Sequence, residues 1–284
     1  MRLRIGGWPG GACGTVLMLP GRAEWIEKYG RVAAALAARG YGLIAVDWRG
    51  QGLSERAVAD PRMGHVGHFD EYQADLAALL DAAPAFGVAG PAPILAHSMG
   101  GCIALRALVE GLAAPAVALS APMWGLQMST AVRSAAWSVA SIAHATGRAM
   151  RYPPGVGPEL NVTETPFDEN MLTSDRESYD YMRRMLLAQP ELVVGGPSLG
   201  WLHAAMREIR ALARRPSPDC PASIALGSRE RIVDPEAITR RAARWPAATL
   251  DVIDAAEHEI LMETPAIRDA AIAAAADLFD AQAG

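Results

Sequence analysis

Short apolar runs alternate with amphipathic stretches along most of this chain, and this alternation constrains its fold more than any other feature. Runs of this length are typical of buried β-strands. The predicted strands are Thr15–Leu19, Leu43–Asp47, Pro93–Ala96, Ala116–Ser120, Ala222–Gly227 and Thr249–Ile253. The predicted helices are residues 25–39, 70–82, 100–112, 235–244 and 265–281. Such alternation predicts an α/β fold, a mostly parallel sheet flanked by helices on both faces.

The alternation stops in the middle of the chain. Residues 122–218 contain no apolar run of the strand type, and they show helical patterns near 130–149, 175–188 and 198–214. We therefore predict that residues 1–121 and 219–284 form one α/β core and that 122–218 form a helical cap inserted into it. The insertion follows a predicted strand, so it lies near the carboxyl ends of the strands, where α/β folds bind ligands.

Composition narrows the functional class. The chain has 284 residues, of which 51% are hydrophobic and 20% are charged, and this is globular rather than disordered composition. A formal net charge of −5 argues against nucleic acid as a partner, because a general nucleic-acid binder needs a basic surface. Three widely spaced cysteines favour a reducing compartment over a disulfide framework.

The N-terminal residues lack the apolar core of a secretory signal, and no stretch reaches the roughly 18 apolar residues that a transmembrane helix needs. We expect a soluble, cytoplasmic protein without a transmembrane segment. Peripheral contact with membrane lipid is left open, and the sequence does not indicate an oligomeric state.

A serine between small residues follows one predicted strand and opens a predicted helix. Residues 96–101 read Ala-His-Ser-Met-Gly-Gly. A tight turn from strand to helix lifts the serine hydroxyl out of the sheet and requires small neighbours. It also directs the partial positive charge of the helix N-terminus toward the reaction centre. Ser98 is therefore a candidate nucleophile, and the alternative is that Ser98 only caps the helix.

A serine nucleophile needs a base that removes its proton and a carboxylate that orients the base. The chain order serine, acid, histidine places the base on the loop after the last strand, where His258 lies. The acid should follow Ala222–Gly227, where Glu230 and Asp234 compete. Asp234 precedes a proline and also fits a helix N-cap. We prefer Glu230, which lies closer to the strand end, and keep Asp234 as the alternate acid.

Two backbone N–H groups should stabilise the oxyanion of a tetrahedral intermediate. Met99, the residue after the nucleophile, supplies one. The other should come from the loop after Thr15–Leu19, where Pro20 has no N–H and Arg22 is the better donor.

Motifs in four separate parts of the chain carry a family resemblance. They are Leu19-Pro-Gly-Arg-Ala-Glu, Asp47-Trp-Arg-Gly-Gln-Gly-Leu-Ser, His97-Ser-Met-Gly-Gly and Glu257-His-Glu-Ile-Leu. With them, nearly the whole chain resembles the lysophospholipase and monoacylglycerol lipase branch of the α/β-hydrolases. The resemblance implies the α/β-hydrolase fold with a helical cap. It also implies that Ser98 is the nucleophile, His258 the base, and Arg22 and Met99 the oxyanion donors.

The chain departs from that family pattern at three points. Ala96 replaces the first glycine of the usual serine turn, and Glu230 stands where monoacylglycerol lipases carry an aspartate. The first strand of the family is expected to be short or absent at this N-terminus.

These features predict a serine hydrolase that cleaves carboxylic esters of monoacyl lipids through an acyl-serine intermediate, without metal or organic cofactor. We expect a lysophospholipase-like enzyme whose substrate contacts include Met123, Trp124 and Trp201. The alternatives are a monoacylglycerol lipase or general carboxylesterase, and a non-catalytic ligand-binding protein on the same fold.

Overall fold

A single sheet forms the centre of the molecule. The computed structural model describes residues 1–282, and within them seven strands pair in the order β1-β3-β2-β4-β5-β6-β7. Only β1 is antiparallel to its neighbour in this described part. The strands are β1 Arg4–Trp8, β2 Gly14–Leu19, β3 Tyr41–Asp47, β4 Ile94–His97, β5 Val117–Ser120, β6 Ala222–Gly227 and β7 Ala248–Ile253. The predicted α/β fold class is confirmed.

Helices cover both faces of the sheet. They are α1 Gly30–Ala37, α2 Asp70–Ala82, α3 Met99–Val109, α4 Thr130–Ala145, α5 Arg176–Ala188, α6 Leu199–Leu212, α7 Pro235–Ala242 and α8 Pro265–Asp280. Successive side chains of β2 enter opposite layers of the core: Leu17 and Leu19 pack into one hydrophobic cluster, whereas Val16 and Met18 pack into the other. A strand buried on both faces needs an unbroken apolar run, which explains why the central strands are readable from the sequence.

The N-terminal strand is short but present. β1 pairs with β3 along its whole length, from Arg4 opposite Asp47 to Trp8 opposite Leu43. Its middle is Gly6-Gly7, and a side chain at Gly7 would collide with the Leu43 backbone, so glycine permits the close approach. Two glycines leave no apolar run here, and the sequence pattern therefore gave little sign of this strand.

The segment between β5 and β6 is helical, with α4, α5 and α6 separated by loops. Each of these helices begins at a residue whose side chain accepts an N-terminal N–H group, namely Ser129, Asp175 and Ser198. α4 packs on α6 through a small apolar cluster that includes Ala140 and Leu202. Of the predicted core 219–284, residues 283 and 284 lie outside the described residues. Within residues 1–282, none of the helices has the length and apolarity required to cross a membrane.

Candidate active site

Ser98 occupies a strained turn between β4 and α3. Its backbone has φ 49° and ψ −115°, a conformation that residues with a side chain rarely adopt. The turn is fixed because the Ser98 N–H donates to the Ser120 carbonyl at 3.0 Å. Gly100 lies against the chain after β2, where an added Cβ would stand 2.6 Å from the Pro20 carbonyl oxygen. This turn lifts the Ser98 hydroxyl above the carboxyl end of the sheet.

A hydrogen-bonded chain of three side chains starts at this hydroxyl. Ser98 Oγ lies 2.9 Å from His258 Nε2, and His258 Nδ1 lies 2.7 Å from Glu230 Oε2. All three residues are buried. Because a carboxylate only accepts, Nδ1 carries the proton and donates to Glu230, which leaves Nε2 free to accept the serine proton. The arrangement can activate the hydroxyl for nucleophilic attack.

Glu230 is held as an ionised carboxylate. Its Oε1 accepts the N–H groups of Ile232 at 2.7 Å and Val233 at 3.0 Å, while Oε2 faces His258. Burial alone would raise the pKa of Glu230, but the hydrogen bond and charge of His258 and these two N–H groups lower the pKa below its ordinary value. The carboxylate is therefore oriented before any substrate arrives.

Asp234, the alternate acid of the sequence analysis, lies elsewhere. Its carboxylate accepts the N–H groups of Glu236 at 3.0 Å and Ala237 at 3.2 Å at the start of α7. This is the N-cap arrangement that the following proline indicated. The structure thus brings Glu230, and not Asp234, to His258.

The two predicted oxyanion donors flank the serine. Met99 is the first residue of α3, and Arg22 lies on the loop after β2. Within residues 1–282, neither backbone N–H donates a hydrogen bond to another protein group. Two free N–H groups beside Ser98 are suited to bind an oxyanion, because they can receive negative charge without rearrangement.

A buried charge network, which we define as Glu24, Lys28 and Glu259, underlies this site. The Lys28 ammonium lies 2.5 Å from Glu24 Oε1 and also bonds the Glu259 carboxylate. The other oxygen of Glu24 accepts the Gly21 N–H and the Tyr29 hydroxyl. The network therefore joins the loop that carries Arg22 to the loop that carries His258.

The pKa shifts of the groups in and beside the charge network follow from burial and from the neighbouring charges. Burial alone would raise the pKa of Glu24, but Lys28 and the Tyr29 hydroxyl hold that pKa at about 2. Burial raises the pKa of Glu259, which Lys28 only partly offsets. Burial also lowers the pKa of the adjacent His97 to about 3, so its imidazole is neutral at ordinary pH. Glu24, His97 and Glu259 offer ligand atoms within 4.8 Å of one another, but the Lys28 ammonium is already bonded to both carboxylates.

The sequence analysis did not identify this charge network. Glu24 and Glu259 occur within the quoted motifs, but they are far apart in the sequence. A lysine four residues after a glutamate usually indicates a pair of solvated side chains. Only the fold shows that Lys28 is 1% exposed. The signal available was the four-residue spacing between Glu24 and Lys28, a spacing that places two residues on one face of a helical turn.

Ser98 lines a cleft of about 240 Å³. Met123 and Trp201, two of the predicted substrate contacts, line this cleft, and Arg22 lines it as well. Trp124, the third, does not: its indole donates to the Gly101 carbonyl at 3.2 Å and packs near Trp245. Met123 and Trp124 therefore line different cavities although they are adjacent in the chain.

Comparisons with known proteins show the family of this chain. Residues 10–265 match the family described as "Serine aminopeptidase, S33" (Hydrolase_4). Lysophospholipase L2 of Escherichia coli strain K12 is 33% identical over 280 residues, which is 94% of this chain and 80% of that protein. A probable lysophospholipase L2 of Haemophilus influenzae is 29% identical over 255 residues, 89% of this chain and 79% of that protein.

A solved structure shows the same fold. A soluble variant of monoglyceride lipase from Saccharomyces cerevisiae superimposes with a TM-score of 0.76 and 21% identity, covering 99% of this chain and 92% of that one. The family match spans most of the chain and includes every residue of the hydrogen-bonded Ser98, His258 and Glu230 chain. The protein therefore belongs to the serine aminopeptidase S33 family of α/β-hydrolases.

Proposed function

We propose that this protein is a carboxylic ester hydrolase that cleaves monoacyl lipids, with lysophospholipids as its main substrates. One observation carries the proposal: Ser98, His258 and Glu230 form a buried hydrogen-bonded chain at the floor of a cleft. The similarity to two lysophospholipases L2 over about nine tenths of the chain supports the substrate class.

The reaction follows from the roles that these groups can take. His258 Nε2 accepts the Ser98 proton as Oγ attacks the ester carbonyl, and the N–H groups of Arg22 and Met99 bind the resulting oxyanion. The protonated His258 then donates to the leaving alcohol as the C–O bond breaks, which leaves an acyl-serine. Water, deprotonated by His258, attacks this ester and releases the fatty acid together with free Ser98. Glu230 holds the imidazole in the required tautomer and stabilises its charged form throughout.

The helical segment 122–218 acts as the cap of this enzyme, with residues 1–121 and 219–284 as the core. The cap supplies Trp201 and Leu172 to the cleft, together with Pro197, so it shapes the space above Ser98. We place the enzyme in the cytoplasm, in accord with three cysteines that remain unpaired within the described chain. There the cap would also make the peripheral lipid contact through which a monoacyl lipid enters.

Arg22 favours an anionic leaving group. Its guanidinium lines the cleft, donates to the Gly195 carbonyl at 2.7 Å and lies 5.7 Å from the Trp201 ring. It has no carboxylate partner within residues 1–282, and burial lowers its pKa. A phosphate group in the leaving alcohol would supply the missing anion, and a glycerol leaving group would not. This distinguishes a lysophospholipase from a monoacylglycerol lipase or a general esterase.

Hydrolysis of lysophosphatidylcholine, monoacylglycerol and a short p-nitrophenyl ester by the same preparation tests the proposal. We expect the highest kcat/KM for the lysophospholipid, and Ser98→Ala should lower kcat by about 10⁴–10⁶. Arg22→Gln should lower kcat/KM for the lysophospholipid by about tenfold or more while sparing the p-nitrophenyl ester. A wild-type protein that is labelled by no fluorophosphonate probe and turns over no ester would be a binding protein, contrary to the proposal.

A further inference from the structure

A second cavity lies beside the catalytic cleft. It is a groove of about 500 Å³ between α4, α6 and α7, a volume within the range of about 300–1,000 Å³ that small-molecule sites have. We call it the arginine groove. Its apolar floor consists of Trp124, Leu126, Met128, Trp137, Met206 and Ile209. Its lining also includes the arginines 133, 210, 240, 241 and 244.

One wall separates the arginine groove from the cleft. Leu126 and Met128 line both cavities. Their segment is fixed because Gln127 N–H donates to the Ile232 carbonyl at 3.0 Å and Leu126 forms a β-bridge with Val233. Ser98 and His258 line only the cleft. The arginine groove is therefore a distinct space without the reacting groups.

The arginine groove has excess positive charge. Asp234 is the single carboxylate in its lining, and it is already held at the start of α7. Arg240 pairs with Glu236 at 3.0 Å, and the buried Arg241 donates to backbone carbonyls, so these two are satisfied. Arg133, Arg210 and Arg244 form no ion pair within the described residues. The whole chain has a formal net charge of −5, so this local excess of cations is not a general property of its surface.

The position of Arg210 connects the charge to the apolar floor. Its guanidinium lies 5.9 Å from the centre of the Trp137 ring, which forms part of that floor. The arginines 133 and 210 are exposed and line the groove from α4 and α6, two helices that pack against each other. An anionic group held between them would leave an attached alkyl chain against the tryptophan and the aliphatic side chains below.

We propose that the arginine groove is a second lipid site, which binds a single-chain amphiphile with an anionic head, carboxylate or phosphate. The alkyl chain lies on the floor, and Arg133 and Arg210 bind the head. The site goes beyond the proposed function, because binding there requires neither Ser98 nor turnover. A free long-chain fatty acid and the phosphate of a monoalkyl lipid share this chemistry, and the test below separates them.

Isothermal titration with three twelve-carbon ligands that the enzyme cannot hydrolyse tests this site. They are dodecanoate, dodecyl phosphate and the neutral dodecyl glycerol ether, each used below its micelle concentration. The variant Arg133→Gln/Arg210→Gln removes the head contacts, and Arg207→Gln/Arg214→Gln removes two exposed arginines outside the groove lining. Two single variants each place a large side chain in one cavity. Ala213→Trp fills the arginine groove, and Leu172→Trp fills the cleft.

We expect the arginine groove to bind each anion at least about tenfold more tightly than the neutral ether. Arg133→Gln/Arg210→Gln and Ala213→Trp should each weaken anion binding by about tenfold or more, whereas the two control variants should not. A loss for dodecanoate alone would identify a fatty acid, and a loss for dodecyl phosphate alone a lipid phosphate. Equal affinity in all variants, or a loss only in Leu172→Trp, would overturn the proposal. These outcomes do not depend on hydrolysis, so failure of the proposed function remains distinguishable.

Discussion

Lys28→Met removes the cation that bridges two buried carboxylates in the charge network. Lys28 is 1% exposed, and its ammonium bonds both Glu24 and Glu259. Methionine fills nearly the same space as the lysine stem, so the change creates little cavity and acts mainly on charge. Removing one partner of a buried ion pair costs about 3–5 kcal/mol, because the remaining charge is buried without compensation. For a chain of 284 residues, with an unfolding entropy of about 2.1 cal/mol/K per residue, we expect Tm to fall by about 5–8 °C at neutral pH.

The pH dependence of this loss has a definite sign. In the wild type, Lys28 holds the pKa of Glu24 at about 2, below its ordinary value of 4.5. This contribution to stability is present above pH 4.5 and disappears as the pH falls toward 2. In Lys28→Met, burial raises the folded-state pKa of both carboxylates above their unfolded value. Their contribution is then present at low pH and lost as the pH rises through the raised pKa. The difference in Tm between variant and wild type should therefore shrink from about pH 8 to about pH 5.

Thermal melts followed by circular dichroism across that pH range measure the effect. The matched control is Lys28→Met/Glu24→Gln/Glu259→Gln, which removes all three charges and should recover part of the lost Tm, since no charge stays buried alone. The reasoning is refuted if Lys28→Met lowers Tm by less than about 2 °C, if its loss is the same at all pH values, or if the triple variant is no more stable than the single one.

Two further changes probe the candidate site. Glu230→Gln should lower kcat for ester hydrolysis by about 10⁴, because the amide no longer fixes the imidazole tautomer. The control Asp234→Asn keeps a capping oxygen and should leave kcat near that of the wild type. A larger loss of kcat in Asp234→Asn would assign the acid to that residue. Gly100→Ala should prevent folding to an active enzyme, because its Cβ would meet the Pro20 carbonyl at 2.6 Å, whereas Gly90→Ala, with open space around it, should melt and react like wild type. Soluble, fully active Gly100→Ala would show that the turn is not tight.

Much of the fold was predictable because each buried strand appears in the sequence as a continuous apolar run. β2 and β6 were predicted to within one residue, since a strand covered on both faces must be apolar throughout. The helical character of 122–218 was predictable for a similar reason, as capping serines and the spacing of apolar residues act within one helix. The sequence signal for β1 is weaker, because this edge strand has two central glycines and pairs with β3 through backbone hydrogen bonds.

The candidate site was less predictable where it depends on tertiary contacts. From the sequence, Glu230 and Asp234 are two carboxylates on one loop, and only the distance to His258 separates them. Trp124 and Met123 are adjacent apolar residues, but the direction of each side chain decides which cavity it lines. Lys28 has no local feature that distinguishes a buried ion pair from a solvated one. Each of these properties arises from residues distant in the chain.

The charge network explains how two loops far apart in the sequence keep a fixed relation. Glu24 accepts the N–H of Gly21, the neighbour of Arg22, and Lys28 connects this glutamate to Glu259, the neighbour of His258. The Glu259 N–H in turn donates to the Leu172 carbonyl at 2.7 Å, which connects the histidine loop to residues 122–218. Apolar packing is non-directional and would tolerate small displacements of these loops, whereas short charge-assisted bonds restrict them. The distance between the Arg22 backbone and His258 is thus restricted by ion pairs, so we expect a change of charge at Lys28 to act on ester hydrolysis as well as on stability.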